Sequence, residues 1–207
     1  MQNYDIKKER RDLYSARRDR FEIVDVPRMG FLMVDGRGDP NTSADYRAVV
    51  EALYTTAYAV RAIAKKELAR THTVGPLEGL WTADDLSVFT TRDHDEWNWT
   101  LMIVQPGWVG SALVDEARDR VRRTKDLSAG HRVRFEDRTE GQCVQILHVG
   151  PYDEEAPTIA RMHEEFMPAE KLVPRGHHHE IYLSDARRTQ PGRLRTILRQ
   201  PVGPAPV

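Results

Sequence analysis

The sequence predicts an α+β fold in which two similar strand-helix-strand-strand modules are joined by a linking helix. Three observations carry the prediction. The same order of elements occurs twice, at a spacing of about 100 to 110 residues, too long for a solenoid repeat and right for a duplicated module. The run 44–70 contains no Gly or Pro and places Val49, Val50, Leu53, Ala57 and Val60 at helical spacing. Short apolar runs elsewhere are closed by Gly, Pro and Asp, as strands are.

Residues 1–20 are so rich in charge that they bury little apolar surface, and they are expected to form an arm or surface-packed helix without chemistry. Module one spans about 21–109. It opens with strands at 21–26 and 31–34, separated by Pro27 and Gly30 and closed by the turn 35–40. Asn41, Thr42 or Ser43 caps the long helix, and strands at 77–81 and 97–104 complete the module. A linking helix at about 110–127 leads to module two, about 131–207. There a strand at 142–149 precedes a helix at 154–171, irregular near Pro157 and Pro168, and strands at 178–183 and 194–199 follow. Each module offers a sheet with a helix on one face, and pairing the two is expected to leave the other sheet faces lining a shared central cleft.

Composition narrows the function. The 207 residues include 31 Lys and Arg against 32 Asp and Glu, a net charge of -1, with no long basic run, so nucleic acid is not an expected partner. No apolar stretch approaches the ~20 residues that span a bilayer, and the charged N-terminus does not read as a secretory signal. A single cysteine, Cys143, cannot form an internal disulfide, and the expected compartment is the reducing cytoplasm.

Strand alternation places His178, Glu180 and Tyr182 on one face and His179, Ile181 and Leu183 on the other. The Ile and Leu face is expected to meet the helix, leaving Glu180 and Tyr182 on the cleft side. A carboxylate partly removed from water there has a raised pKa and suits acid–base work; the competing reading is a solvated Glu on an exposed sheet. Trp97 and Trp99 share a strand face, Trp81 and Trp108 lie nearby, and Tyr54 and Tyr58 stand four apart on the long helix. Singly these read as core or rim aromatics; as a group they can sandwich a flat or cationic ligand.

Other motifs carry less. His177, His178 and His179 are adjacent, so a regular strand points them in opposite directions, and no metal or organic cofactor is expected. Cys143 sits in an apolar strand as a core residue. The Gly36 and Gly38 segment is too short for a phosphate loop and reads as a turn needing positive φ. Residues 172–177, which look like a protease site before a histidine tag, lie between a helix and a strand and therefore read as native.

Five stretches, at 4–9, 34–40, 77–81, 148–153 and 178–185, resemble those of stand-alone GyrI-like proteins, in order and over nearly the whole chain. The resemblance implies a GyrI-like small-molecule-binding domain over 21–207, an SHS2 pair whose central cleft takes bulky aromatic or cationic compounds. It also implies membership near a subset that hydrolyses cyclopropane-bearing DNA-alkylating antibiotics and so detoxifies them. By position, Glu180 is then the general base or water-orienting carboxylate and Tyr54 the hydroxyl partner, with Tyr58 as its substitute. Trp97, Trp99 and Tyr182 form the stacking walls, with Trp81 beside them. Ala186 stands where the family pattern has a proline, a departure confined to a turn.

Three functions are thereby expected, in descending order: a cofactor-independent cyclopropanoid hydrolase, a multidrug-binding protein that sequesters xenobiotics without turnover, and a gyrase-interacting inhibitor. Access for a large antibiotic is expected to depend on the loop 84–96.

Overall fold

A computed structural model describes residues 3–82 and 97–206, so the loop 84–96 lies outside the described residues. In chain order the elements are β1 (Asn3–Tyr4), α1 (Ile6–Glu9), α2 (Arg11–Tyr14), β2 (Glu22–Val26), β3 (Met29–Arg37), α3 (Ala44–Glu67), β4 (Thr71–His72), β5 (Leu77–Thr82) and β6 (Asn98–Val104). There follow α4 (Ser111–Thr124), β7 (Arg134–Arg138), β8 (Gly141–Val149), α5 (Ala156–Arg161), a π turn (Met162–Phe166), α6 (Met167–Ala169), β9 (Leu172–Pro174), β10 (His178–Tyr182) and β11 (Arg195–Pro204). The architecture is α+β, and the chain divides into two compact units, Met1–Glu9 with Met29–Arg138 and Arg10–Arg28 with Thr139–Val207.

In the first unit the strand order is β5, β6, β3, β7, all antiparallel, while β1 and β4 form a small parallel pair. Ser43 caps α3 by accepting a hydrogen bond from the Tyr46 N–H at 3.1 Å. The helix buries the stripe Val49, Ala52, Leu53, Thr56, Ala57, Val60, Ile63 and Ala64, and α3 packs on β3, β6 and α4. Gly36 is a strand residue here, paired with Trp99, and its glycine identity has a packing cause: a Cβ would stand 2.0 Å from the Trp99 ring. Gly38, at φ +102, is the position of the two that needs the left-handed region.

In the second unit the order is β2, β8, β11, β10, again antiparallel, with β9 on the far end of β11. The sequence reading put the run 21–26 at the head of the first module; instead β2 pairs with β8, Ile23 opposite Val144, and belongs to the second unit. Pro27 lies between the two apolar runs and lacks an N–H, so nothing obliges β2 and β3 to pair as a hairpin. Residues 172–174 are a true strand, and Arg175 donates its N–H to the Pro201 carbonyl at 2.8 Å, which builds this segment into the sheet.

Both faces of this sheet are covered. On one, Val144, Ile146, Leu198 and Val202 pack with Met162 and Met167 of the helical segment 156–169. On the other, Arg199 is fully buried. Its Nη2 donates to the Leu13 carbonyl at 2.5 Å and to Gln145 Oε1 at 3.0 Å, and Nη1 lies 3.6 Å from Glu140. Gln145 Nε2 donates to the Asp12 carbonyl at 2.9 Å, and His179 Nδ1 lies 3.0 Å from Glu140. The charged N-terminal segment thus supplies a buried Leu13, a buried Tyr14 and two carbonyl acceptors to the sheet.

Two stability predictions follow from this packing. Arg199→Met removes the guanidinium from beside the buried Glu140 and is expected to cost about 3–5 kcal/mol in urea unfolding, with less lost when Glu140→Leu accompanies it. Gly36→Ala drives a methyl into the Trp99 ring and is expected to cost about 1–3 kcal/mol, read as a lower midpoint in the same measurement.

Candidate functional site

The strand register decides which face carries Glu180. In β10 and β11, Glu180 stands opposite Leu198 and Tyr182 opposite Thr196, while Ile181 stands opposite Ile197 and His179 opposite Arg199. Leu198 packs on Met162 and Met167, so the Glu180 row is the row beneath the helical segment. This corrects the expectation that Ile181 meets the helix and Glu180 the open side. The cause is the buried Arg199 system, which claims His179 and its row for the opposite face. Glu180 and Tyr182 do share a face, as alternation predicts.

On that helix-side face the polar groups gather at one end. The Tyr182 hydroxyl donates to Glu180 Oε2 at 2.7 Å, a charge-assisted bond. His178 Nε2 stands 3.7 Å from Glu180 Oε1, beyond hydrogen-bond length, and both His178 ring nitrogens are buried without a hydrogen-bond partner among the described residues. Burial, with His163 and His179 nearby, pushes His178 down to about 3, so its imidazole is neutral. His163 comes from the π turn and is likewise lowered by burial. A π turn is a local widening of the helix that recurs at functional sites.

The turn after β8 adds the remaining groups. Gly150, at φ +153, directs the chain into Pro151 and the short 3-10 turn Tyr152–Glu154, and His148 Nε2 lies 3.2 Å from the Pro151 carbonyl. Tyr152 sets its ring edge-on to Tyr182, centroids 5.6 Å apart. Its hydroxyl is pushed up to about 12 by burial and by the charges of Glu155, Glu180 and Asp185. Glu155 is buried at 4 % exposure. Burial and then the charge of Glu180 push it up to about 9, offset in part by Thr196, so it carries its proton at neutral pH.

The cluster therefore sets a protonated carboxyl, Glu155, near a carboxylate, Glu180, that holds a tyrosine hydroxyl. Sequence reasoning named Glu180 and Tyr182 and missed Glu155. Glu155 ends a run of three acids two residues before Pro157, a pattern that reads as a solvated helix start, and nothing in it signals that the third acid turns inward.

The other sequence candidates belong to the first unit. Tyr54 is half-buried on α3, its ring stacked 6.5 Å from that of Tyr58, which is 56 % exposed. Trp81 pairs across strands with Trp99 and meets the half-buried Trp97 edge-on at 5.5 Å. Trp99 is a core side chain at 2 % exposure; its Nε1 donates to the Gly38 carbonyl at 3.1 Å and its ring meets Tyr46 edge-on. Among the described residues no group of three His, Cys, Asp or Glu side chains is placed to hold a metal ion. Cys143 is buried and its thiol is pushed up to about 12, chiefly by burial. No helix among the described residues is long and apolar enough to cross a membrane.

A model of the GyrI-like small molecule binding domain matches residues 20–202. A conserved Listeria innocua protein is similar at 39% identity and a TM-score of 0.89, over 97% of this chain and 100% of its own. A hydrolase from the same organism is similar at 38% identity and a TM-score of 0.87, over 98% of this chain and 100% of its own. The EcmrR C-terminal domain shares the fold at 10% identity and a TM-score of 0.58, over 90% of this chain and 98% of its own. No curated protein matches the chain.

The state of Glu155 has a measurable consequence. An unfolded glutamate loses its proton near 4.5 and Glu155 near 9, so across that window the folded chain holds the extra proton and stability falls as pH rises. Glu155→Gln removes this loss. Its Tm is expected to gain on the wild type steadily from about pH 4.5 to about pH 9 in a thermal-unfolding series; a constant difference across the window contradicts the assignment.

Proposed function

Because the chain belongs to the GyrI-like small-molecule-binding family, we propose that it is a cofactor-independent hydrolase of bulky aromatic compounds and that Glu180 directs water onto a strained, cyclopropane-bearing substrate. Detoxification of DNA-alkylating antibiotics is the corresponding role. The observation that carries the reading is the Tyr182 hydroxyl bonded to Glu180 at 2.7 Å, with the buried carboxyl of Glu155 near enough to feel the charge of Glu180. The similar Listeria innocua protein is itself a hydrolase, which supports the same class of reaction.

The chemistry asks for little more than these groups. Glu180 accepts a proton from water, the water oxygen bonds to the cyclopropane methylene, and the carbon–carbon bond breaks with its electrons passing into the conjugated ketone. Tyr182 fixes the orientation of the Glu180 carboxylate through the bond to its Oε2. The flat aromatic body of such a substrate suits stacking on tyrosine or tryptophan rings.

A second reading, sequestration of a cationic xenobiotic without turnover, draws on the same Glu180 as a charge partner. The two part on one experiment. Incubation with a duocarmycin-type cyclopropane compound, followed by mass spectrometry, is expected to show catalytic addition of one water by the wild type. Glu180→Gln is expected to lower kcat by about 100-fold or more while binding survives. Binding by the wild type with no conversion selects sequestration.

A further inference from the structure

Of the three consecutive acids Asp153, Glu154 and Glu155, the first two are exposed and only the third turns inward. Glu155 is 4 % exposed, and its Oε1 is buried without a hydrogen-bond partner among the described residues. An ionised carboxylate left unsatisfied out of water costs far more than the neutral carboxyl in the same place. Gly150 and Pro157 hold the turn that carries it, one by its left-handed φ of +153 and the other near the start of α5. Among the other buried groups, Glu140 is occupied by His179 and Arg199, and Cys143 is a thiol with its sulfur directed to the Gly141 carbonyl.

We infer that Glu155 is the proton donor of the reaction, protonating the substrate oxygen that gathers charge as the ring opens while Glu180 takes the proton released by water. The inference rests on the hydrolase reading. The step balances without an oxidant or reductant. One carbon–oxygen bond forms, one carbon–carbon bond breaks, the ketone becomes a hydroxyl with the Glu155 proton, and Glu180 ends protonated. Transfer of one proton from Glu180 to Glu155 restores the starting state. A buried acid and a hydrogen-bonded carboxylate within one site is the arrangement by which environments divide two like groups into acid and base.

The titratable groups sharing this helix-side cluster are Glu180, Tyr182 and His178 from β10, His148 from β8, His163 from the π turn, and Tyr152 from the 3-10 turn that leads to Glu155, with Asp185 acting on Tyr152 from outside. Neither Tyr152, pushed up to about 12, nor His178, pushed down to about 3, titrates near the value of about 9 at which Glu155 gives up its proton. The wild-type kcat/KM for the duocarmycin-type probe is therefore expected to fall on the alkaline side of about pH 9.

The test compares that profile in the wild type, Glu155→Gln and Glu155→Asp, with Tm recorded for each. Glu155→Gln is expected to lose about 100-fold or more in kcat at neutral pH and to lose the alkaline fall with it. Glu155→Asp keeps an acid and is expected to recover part of the rate with the fall displaced. A Glu155→Gln enzyme with wild-type rate and an unchanged alkaline fall overturns the inference and leaves the hydrolase reading standing. If Glu155→Gln does not fold, an unchanged fall in Glu155→Asp overturns it equally. A wild type that binds the probe and never converts it overturns the hydrolase reading and this inference together.

Discussion

The guanidinium of Arg199 is the group on which the second unit depends. It is fully buried in the central strand β11, where a cation has no water to fall back on; it donates to Gln145 on the neighbouring strand and to the Leu13 carbonyl, and Glu140 balances its charge from 3.6 Å. Those partners fix more than a charge. They tie the segment 10–14 to the sheet, and through Glu140 they hold His179 on the same face. Because side chains alternate, placing His179 there places His178, Glu180 and Tyr182 beneath the helical segment. The Glu180 row is thus on the opposite face from the structural ion system, and a single-residue slip in β10 would exchange them.

Two carboxyl groups on that helix-side face differ in what surrounds them. Glu180 accepts the Tyr182 hydroxyl at 2.7 Å, whereas Glu155 has a buried oxygen with no partner among the described residues and is held protonated to about 9. The charge on one is part of the reason that the other keeps its proton, after burial itself. Environment rather than residue type therefore gives Glu155 its proton.

Much of this was legible in the chain. The absence of Gly and Pro over 44–70 and the apolar spacing within it foretold α3, which runs Ala44–Glu67 from the Ser43 cap. Alternation foretold that Glu180 and Tyr182 share a face. Which face, however, depends on pairings between residues far apart: Arg199 with Leu13 lies 186 positions away in the chain, and no local pattern announces it. The strand 22–26 was legible as a strand and not as a partner of β8, for the same reason. Glu155 was hidden by its neighbours, since three acids in a row read as solvated and burial of the third is decided by the Gly150 turn. Trp99 shows the converse: its aromatic character invited a binding role, while the glycine opposite it at position 36 was the local sign that the ring fills the space between sheet and helix.

The asymmetry of the two carboxyls also bears on which function suits the site. A site made only to attract a cation is served best by two ionised carboxylates, because each adds attraction and neither needs a proton. Burial of Glu155 works against that, since it holds the group neutral over the range in which a cation receptor needs its charge. For a reaction in which water must lose a proton and a substrate oxygen must gain one, the same burial is useful at both ends. It keeps a proton available on Glu155 and leaves Glu180, oriented by Tyr182, to receive another. On the proposed hydrolysis the arrangement suits proton exchange during turnover better than retention of a charged ligand, and its side chains come from one compact unit of the chain.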